Sequence, residues 1–232
     1  MKPLPIAPEK TKNTRMSESF HFLWFFVFVL CCTVSCNKFT IDGVDSFLRL
    51  ASDGATIGTI QKMILATDLD LKGQHLFPLG VDATGECTPF RGILDGRGHS
   101  IKNLVMDHKD NSTYNNAGLF CQMISASVKN LVIENSCSFS GNTVGSLSVR
   151  VTGQLDLANV TNSANISGIA VSGGLIGNLS NFDNTAVTIE GCSNYGSFLG
   201  RTFIIGGFIG WINSVYFTAL SFRNSRNFGC YF

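Results

Sequence analysis

The sequence is poor in charged residues and in histidine, and both shortages bear on function. Only 14% of the 232 residues are charged, and the formal net charge is +1. This balance gives no electrostatic argument for nucleic acid or for an anionic membrane surface as a partner. The sequence has no His-Glu-x-x-His, no Cys-x-x-Cys and no cluster of histidine and cysteine with zinc-ligand spacing. We therefore predict no metal site, no cofactor and no nucleic-acid partner.

Long apolar runs are also missing, except for one near the N-terminus. Residues 20–32 form a run of thirteen that only His21 interrupts, which is shorter than the roughly 20 residues that span a bilayer. Basic residues precede the run, and Thr33 and Ser35 stand three and one places before Cys36. This order predicts an n-region and secretory signal peptide at 1–35, cleaved before Cys36, and hence a secreted or cell-surface protein. An uncleaved signal anchor is the alternative.

Cysteine is the residue type whose chemistry the sequence leaves open. Eight cysteines are present, and two of them lie inside the predicted signal peptide. The other six are Cys36, Cys87, Cys121, Cys137, Cys192 and Cys230. Pairing is expected for some cysteines of a secreted protein, but these spacings define no disulfide framework. Free buried cysteines and disulfides both remain open.

A short glycine-centred segment recurs through the second half of the chain. Its copies are Ala-Gly-Leu-Phe, Val-Gly-Ser-Leu, Gly-Gly-Leu-Ile and Gly-Gly-Phe-Ile, with second residues Gly118, Gly145, Gly174 and Gly207. The three steps between these glycines are unequal. A polar position further downstream nevertheless keeps the same three steps, with Ser138, Asn165, Asn194 and Asn227. Two landmarks with one set of spacings indicate a true repeat.

When the copies are aligned with these steps, residues at the same position in each copy form a column. Successive columns along the chain alternate between apolar and polar residues, which is the period-two pattern of a half-buried strand. One apolar column holds Leu131, Ala158, Val187 and Leu220. A second apolar column holds Phe139, Ile166, Tyr195 and Phe228. A column suited to left-handed turns holds Asn135, Asn162, Gly191 and Asn224.

A repeat of roughly 30 residues with this alternation cannot bury its apolar face alone and must stack on its neighbours. The predicted fold is therefore all-β, a parallel β-helix whose coils lie about 4.8 Å apart. Leucine-rich repeats are excluded because their Leu-x-x-Leu-x-Leu-x-x-Asn spacing is absent. A helical solenoid is disfavoured by the β-branched strands and the 24 glycines.

The region between the signal peptide and the repeats predicts a cap. Apolar residues at helical spacing in 42–51 predict a short amphipathic helix, capped by Asp42, that covers the lower end of the solenoid. We predict an N-terminal cap at 36–66 and a β-helix of about five coils at 67–232. The sequence stops inside the fifth coil with an apolar edge. We expect either an incomplete chain or an edge covered by a partner or a second copy.

With this order of segments, the chain resembles the GLUG-repeat proteins, which are secreted or surface proteins of bacteria and some microbial eukaryotes. The resemblance covers Ile41 to Phe232, and Gly174-Leu175-Ile176-Gly177 matches the motif that names the repeat. It implies a right-handed parallel β-helix in an adhesin-like surface protein. It implies no chemistry, since the repeat is an architectural module. The zinc protease that some members carry is not expected here, because its motif is absent.

Two functions from different classes compete. We predict a structural, adhesive or binding module for extracellular glycans or proteins, without catalysis, because strips of Asn, Ser and Thr supply hydrogen bonds but no acid or base. The alternative is a polysaccharide lyase or glycoside hydrolase, which needs paired carboxylates or a calcium site. Overlaying the segment from Ser100 to Asp107 on the segment from Ser127 to Glu134 puts Asp107 and Glu134 in one outward column. These two residues would serve as the catalytic pair.

Four sequons match the acceptor pattern for N-linked glycans, at Asn111, Asn159, Asn165 and Asn178. Asn159 falls in an outward column, which permits a glycan. Asn165 falls in the polar column with Asn194 and Asn227, which we expect to stack as an asparagine ladder and which does not permit a glycan. Glycosylation at these positions is expected only in a eukaryotic host.

Overall fold

The computed structural model describes residues 37–111, 113–181, 185–199, 202–214 and 217–231. The predicted signal peptide at 1–35 and its cleavage site at Cys36 lie outside these ranges. Within the described residues, no helix is both long enough and apolar enough to cross a membrane.

The described chain consists of one helix, one short 3-10 turn and a series of strands. It opens with β1 (Lys38–Ile41), helix α1 (Val44–Ser52) and the turn Thr56–Thr59. β2 to β10 span Lys62–Leu65, Leu69–Asp70, Ile93–Asp95, Ser100–Lys102, Val105–Asp107, Phe120–Ile133, Ser138–Gly145, Ser148–Asn162 and Asn165–Gly173. β11 to β19 span Ile176–Asn181, Thr185–Glu190, Ser193–Asn194, Ser197–Phe198, Ile204–Gly206, Ile209–Ser214, Phe217–Arg223, Arg226–Asn227 and Cys230–Tyr231.

These strands form a 13-stranded sheet and a 6-stranded sheet. Every pairing between two of the named strands is parallel. The larger sheet runs from β1 through β2, β4, β7, β9 and β11 to β16, so each strand pairs with its equivalent in the next coil. The fold is a parallel β-solenoid of about five turns with one short N-terminal helix, which confirms the predicted fold class. β1 and β2, inside the segment predicted as a cap, already belong to this sheet.

Helix α1 packs its apolar side against the first coil. Phe47 and Leu50 are at most 2% exposed and belong to the main core cluster. Asp42 is not the N-cap, since that position is held by Gly43. The hydroxyl of Ser46 accepts hydrogen bonds from the backbone N–H groups of Asp42 and Gly43, at 3.0 and 3.2 Å. One side chain from the first turn therefore satisfies the donors that an aspartate cap would leave free.

Inward-facing side chains form apolar columns along the solenoid axis. One column is in register on five coils and holds Met63, Leu94, Val128, Leu157 and Ile189. None of these side chains is more than 3% exposed. Burying each one contributes about 1.5–3 kcal/mol, so stability accumulates from coil to coil as in other repeat proteins.

The strand register departs from the sequence columns inside the long strands. Leu131 pairs with Val160 and not with the predicted Ala158. A register shift between Ile124 and Ala126 marks a bulge, which adds a residue to one coil and not to its neighbour. The step between glycines therefore does not hold around the whole coil.

The second apolar column is also rearranged. The column that begins with Phe139 continues in register with Ile166, Phe198 and Tyr231. The predicted members Tyr195 and Phe228 stand at an exposed corner, where their rings stack with centroids 5.1 Å apart. On the last described coil, Phe228 and Tyr231 are each 53% exposed. The self-association expected of this apolar coil stays a prediction.

Three asparagines form a ladder inside the solenoid. Asn162, Asn194 and Asn227 lie in register, and the first two are fully buried. Nδ2 of Asn162 donates to Oδ1 of Asn194 at 2.8 Å, and Nδ2 of Asn194 donates to Oδ1 of Asn227 at 2.8 Å. The prediction that Asn165 belongs to this ladder is wrong, because Asn165 lies on β10 in the smaller sheet.

Each ladder asparagine also holds the corner that follows it. Its Oδ1 accepts a hydrogen bond from the backbone N–H two residues on, at Ala164, Gly196 and Gly229. Nδ2 of Asn194 donates to the carbonyl of Gly207 at 2.7 Å, and a Cβ on Gly174 would lie 2.6 Å from the Asn194 amide. Gly174 meets Asn194 and Gly207 meets Asn227 in this way on two successive coils, which accounts for the step of 33 residues that the last two glycines and the last two asparagines share.

A second column of asparagine and glycine turns the chain at an outer corner. Its members have positive φ and are Asn130, Asn159, Gly191 and Asn224. Nδ2 of Asn159 donates to Oδ1 of Asn130 at 3.3 Å. The predicted turn column had Asn135 and Asn162 in place of the first two members, which is wrong. The physical reason given for the column holds, since asparagine and glycine tolerate left-handed backbone.

The cysteines divide into one disulfide and three free thiols among the described residues. Cys87 and Cys121 form a disulfide, while Cys137 and Cys192 are buried and Cys230 is exposed. Burial raises the pKa of Cys137 to about 11 and also raises the pKa of Cys192. Both buried thiols stay protonated at neutral pH, so they are poor nucleophiles and serve as small core residues.

Candidate ligand-binding groove

A groove of about 390 Å³ opens on the side of the solenoid, where strands such as β7 and β9 turn from one face to the next. It is lined by Gln61, Arg91, Gly92, Ile93, Ser125, Ala126, Ser127, Gln154 and Asp156. Ile93, Ser127 and Asp156 lie in register on β4, β7 and β9, and Gln61 precedes β2. The groove therefore crosses four coils, a length of roughly 14 Å at about 4.8 Å per coil.

Bulged residues make the concave corner. Ser125 and Gly153 have φ of 48° and 77°, and the pairing of β7 with β9 shifts register at this point. A Cβ on Gly153 would lie 2.7 Å from the Ser125 hydroxyl, so only glycine fits without displacement. On the coil below, a Cβ on Gly92 would lie 2.6 Å from the carbonyl oxygen of Gln61. At Gly153 and Gly92 the absence of a side chain lets neighbouring backbone and side-chain atoms approach closely, which makes the surface concave there.

The groove combines hydrogen-bonding groups with one apolar surface. Gln61, Arg91 and Gln154 are exposed, and Nε2 of Gln154 donates to Oδ2 of Asp156 at 2.9 Å. The side chain of Ile93 is 44% exposed although isoleucine is usually buried. Amides, hydroxyls and opposite charges beside an apolar patch are suited to a ligand with many hydroxyl groups and little net charge.

The predicted pairing of Asp107 with Glu134 is wrong. Asp107 lies in register with Ser140 on the smaller sheet. Glu134 follows the end of β7, where its Oε1 accepts a hydrogen bond from the hydroxyl of Ser100 at 2.5 Å. The sequence overlay fails because Ile93–Asp95, and not Ser100–Lys102, pairs with the part of β7 that contains Ser127.

The groove itself contains a single carboxylate, that of Asp156. Hydrolysis of a glycosidic bond normally uses two carboxyl groups facing each other across the sugar. A metal could replace that arrangement, but among the residues described no group of three or more His, Cys, Asp or Glu is placed to hold one. The absence of catalysis remains a prediction.

A second polar cluster surrounds His99. Nδ1 of His99 lies 3.0 Å from Oδ1 of Asp68, which also accepts the backbone N–H of Ser100 at 2.9 Å. The Ser100 N–H and the His99 ring lower the pKa of Asp68. The Ser100 hydroxyl is directed to Glu134 and not to His99, so these residues do not form the hydrogen-bond relay of a serine hydrolase. The cluster holds the corner between β4 and β5.

The four sequon asparagines differ in exposure. Asn159 is exposed at the outer corner, as its predicted outward position requires. The other three are half-buried, and all four side chains take part in hydrogen bonds. Oδ1 of Asn111 accepts the N–H groups of Thr113 and Tyr114, Nδ2 of Asn165 donates to a backbone carbonyl at 3.5 Å, and Oδ1 of Asn178 accepts a serine hydroxyl.

None of the groove residues was singled out from the sequence. The signal that locates them is indirect, since a glycine in the middle of a strand, such as Gly153, marks a bulge. Ser125 carries no such mark, because serine in a strand gives no indication of positive φ. The concavity needs both bulges on neighbouring coils, which only the strand register shows.

Comparisons with known proteins add no assignment. A scan against protein-family models found no matching family, and searches of curated proteins and of solved structures found no match. The β-solenoid fold is established by its strand pairing. The affiliation to GLUG-repeat proteins is not established by any of these comparisons.

Proposed function

We propose that this protein is a non-catalytic module of a secreted or cell-surface protein, and that its groove binds an uncharged glycan. The observation that carries this proposal is the four-coil groove, which offers amides, hydroxyls, one guanidinium and one carboxylate beside the exposed Ile93. Sugar hydroxyls donate and accept hydrogen bonds, and the apolar face of a sugar ring packs on an aliphatic side chain. The opposite charges of Arg91 and Asp156 match a ligand without net charge.

A glycan fits this surface better than a peptide. Extended peptides are commonly bound by adding a strand to a free sheet edge. Along the side of this solenoid, the backbone groups of β4, β7 and β9 already pair with neighbouring coils. Side chains are therefore the recognition groups available in the groove, and polar side chains of this kind suit sugar hydroxyls.

The cellular location and the family are part of the proposal. The Cys87–Cys121 disulfide supports a secreted location, because disulfides persist in oxidising compartments. Gly174-Leu175-Ile176-Gly177 supports an affiliation to GLUG-repeat proteins, for which a right-handed solenoid is expected. Right-handed crossovers between parallel strands are also the general rule.

Replacing Gln154 and Asp156 together by alanine is expected to weaken glycan binding by about 30-fold or more, since one neutral and one charged hydrogen-bonding group are lost. We would measure the mobility of the purified protein in native gels that contain xyloglucan, galactomannan or mixed-linkage β-glucan. Glu190→Ala is the matched control, because Glu190 is an exposed carboxylate of β12 outside the groove. It should leave unchanged the retardation that polysaccharide causes relative to a gel without polysaccharide.

Two results would count against the proposal. Equal retardation of the double variant and the unaltered protein would show that the groove does not bind the polysaccharide. No retardation in any gel would show that these neutral glycans are not ligands. New reducing ends in the recovered polysaccharide would favour the enzymatic alternative. The double variant would then show whether the cleavage depends on Asp156.

If the protein is secreted as predicted, N-linked glycosylation provides a separate test. When the full chain is expressed in a eukaryotic secretory host, Asn159→Gln should lower the mass by one N-linked glycan, because Asn159 is exposed. Asn165→Gln should leave the mass unchanged apart from the substitution, since Asn165 is half-buried and bonded to a backbone carbonyl. Intact mass spectrometry before and after deglycosylation distinguishes the two. A glycan on Asn165 alone would contradict this placement.

A further inference from the structure

A straight column of outward-facing side chains runs up the face next to the groove. Gln122, Arg150, Asn178 and Trp211 are in register on β7, β9, β11 and β16. Successive members are about 4.8 Å apart, so the column is roughly 14 Å long. The residues flanking Arg150 in sequence are buried and Arg150 is exposed, which confirms that this register position faces outward.

Trp211 provides an aromatic surface at one end of the column. Its side chain is 46% exposed, and its register partner Asn178 also faces outward, so the indole is not part of the core. Tryptophan and arginine are the residues that most often dominate binding surfaces, because each combines a large flat contact area with polar groups. A flat indole face is suited to packing against the C–H face of a sugar ring.

Arg150 supplies an unpaired positive charge two coils below Trp211. In the part of the chain that the structure describes, its guanidinium takes part in no ion pair. The neighbouring outward column holds Ile124, Thr152, Ser180 and Asn213, and neither column contains a carboxylate. Burial raises the pKa of Tyr114 to about 12, and this effect is larger than that of the Arg150 guanidinium, whose charge is close enough to lower the same pKa. Tyr114 is therefore a neutral phenol at neutral pH and supplies no negative charge to Arg150. The guanidinium is thus free to bind an anionic group in bidentate geometry.

The two amides of the column have hydrogen-bonding groups to spare. Oδ1 of Asn178 accepts the hydroxyl of Ser180 at 3.0 Å, and no hydrogen bond among the described residues engages its Nδ2. Nε2 of Gln122 donates to Oγ1 of Thr152 at 3.3 Å, and within the same residues its carbonyl oxygen accepts no hydrogen bond. The column therefore offers an aromatic face, a donor, a cation and an acceptor in a line.

We propose that this column is a second saccharide site, separate from the groove, and that it binds an acidic glycan. One sugar ring packs on Trp211, a carboxylate or sulfate group pairs with Arg150, and hydroxyls of intervening sugars bond to Asn178 and Gln122. This goes beyond the proposed function, because the groove has no net charge and the column carries an unpaired cation. The column is distinct from the groove in its residues, so each site can be removed alone.

Binding to oligogalacturonate tests the column. Trp24 lies in the predicted signal peptide, so Trp211 is the only tryptophan of the cleaved protein, and of the uncleaved chain with Trp24→Phe. The fluorescence of Trp211 therefore reports on the site. We expect a saturable change in this fluorescence with oligogalacturonate, and a much smaller one with the fully methyl-esterified oligomer, which has the same backbone without charge. A sulfated galactan oligomer is the second probe. The tighter of the two acidic probes identifies carboxylate or sulfate as the bound group.

Single substitutions then assign the residues. Arg150→Gln should weaken binding of the acidic probe at least about tenfold and lower its dependence on salt. Trp211→Ala should weaken it by about tenfold, measured by calorimetry. Arg223→Gln and Phe203→Ala are matched controls, since both residues are exposed outside the column. Neither should change affinity, and the groove variant Gln154→Ala with Asp156→Ala should also bind normally.

Several outcomes would overturn this second site. Equal affinity for the acid and its methyl ester would show that Arg150 does not select the ligand. Unchanged affinity in Arg150→Gln and Trp211→Ala, with thermal midpoints like that of the unaltered protein, would place acidic binding elsewhere. An N-linked glycan on Asn178 of the secreted protein would cover the column and exclude it as a site. Failure of the groove to bind neutral glycans would leave the column unaffected.

Discussion

Replacing Asn194 by leucine is expected to lower the free energy of unfolding by about 3–5 kcal/mol, although leucine has the same branched arrangement of side-chain heavy atoms. Asn194 is fully buried, and its amide bonds to Asn162, Asn227 and the carbonyl of Gly207 and accepts the N–H of Gly196. Leucine leaves the Asn162 amide, the Gly207 carbonyl and the Gly196 N–H without these partners, while the exposed Asn227 can bond water. Each unsatisfied buried polar group costs about 1–3 kcal/mol, so three of them account for the expected loss.

The matched control is Asn165→Leu. Asn165 is half-buried and its amide makes one long hydrogen bond of 3.5 Å to a backbone carbonyl, so the expected cost is below about 1 kcal/mol. Urea unfolding followed by circular dichroism gives both values, with the slope of each transition checked for a change in cooperativity. An equal cost for the two substitutions would contradict the placement of Asn194 and Asn165.

This pair of residues also shows why the sequence predicts the fold better than the register. The last two glycine segments and the last two ladder asparagines share one step because they touch in the core, and that contact is visible as a period. The segment 159–165 carries an asparagine at every third position, at Asn159, Asn162 and Asn165. One stands at an outer left-handed corner, one in the buried ladder and one on the smaller sheet. A slip from one of these asparagines to the next therefore keeps an asparagine in the column, and only side-chain packing selects among them.

The candidate sites were less predictable than the fold because they depend on that register. Asp107 and Glu134 looked like a pair only under an overlay that the strand register invalidates. The groove depends on two positive-φ positions on adjacent coils, of which only Gly153 has a sequence signal. The outward column depends on two unequal steps, from Arg150 to Asn178 and from Asn178 to Trp211. The first step changes on the next face, where Leu155 pairs with Val187, while the second recurs there from Val187 to Leu220. Local patterns predict strands, while functional surfaces come from the alignment of neighbouring coils.

The disulfide connects this stacking to the groove. Cys87 precedes the groove residue Arg91 by four positions on one coil, and Cys121 precedes Ser125 by four positions on the next. The bond therefore ties together two coils that form adjacent parts of the groove. Gly80 packs on the same bond, since a Cβ there would lie 2.9 Å from the Cys121 sulfur. Loss of the bond should loosen both walls at once.

Reducing Cys87–Cys121, or replacing both cysteines by serine, is expected to cost about 4 kcal/mol of stability. The bond joins residues separated by 34 positions, and the chain-entropy model gives about that value for a loop of this length. For a domain of this size the thermal midpoint should fall by roughly 10 °C. Binding of neutral polysaccharide at the groove should weaken as well, measured by gel retardation at a temperature where the reduced protein is still folded.

The controls separate a local effect from general loosening. Cys230→Ser removes an exposed thiol outside the groove and should leave both the midpoint and its sensitivity to reductant unchanged. Binding of acidic oligosaccharide to the column of Arg150 and Trp211 should survive reduction, because that column extends onto β11 and β16, beyond the two coils that the disulfide joins. If reductant shifts neither the midpoint nor retardation by neutral polysaccharide, the disulfide does not support the groove. Equal weakening at both sites would instead mean that the disulfide stabilises the groove and the column together, so its effect would not be local to the groove.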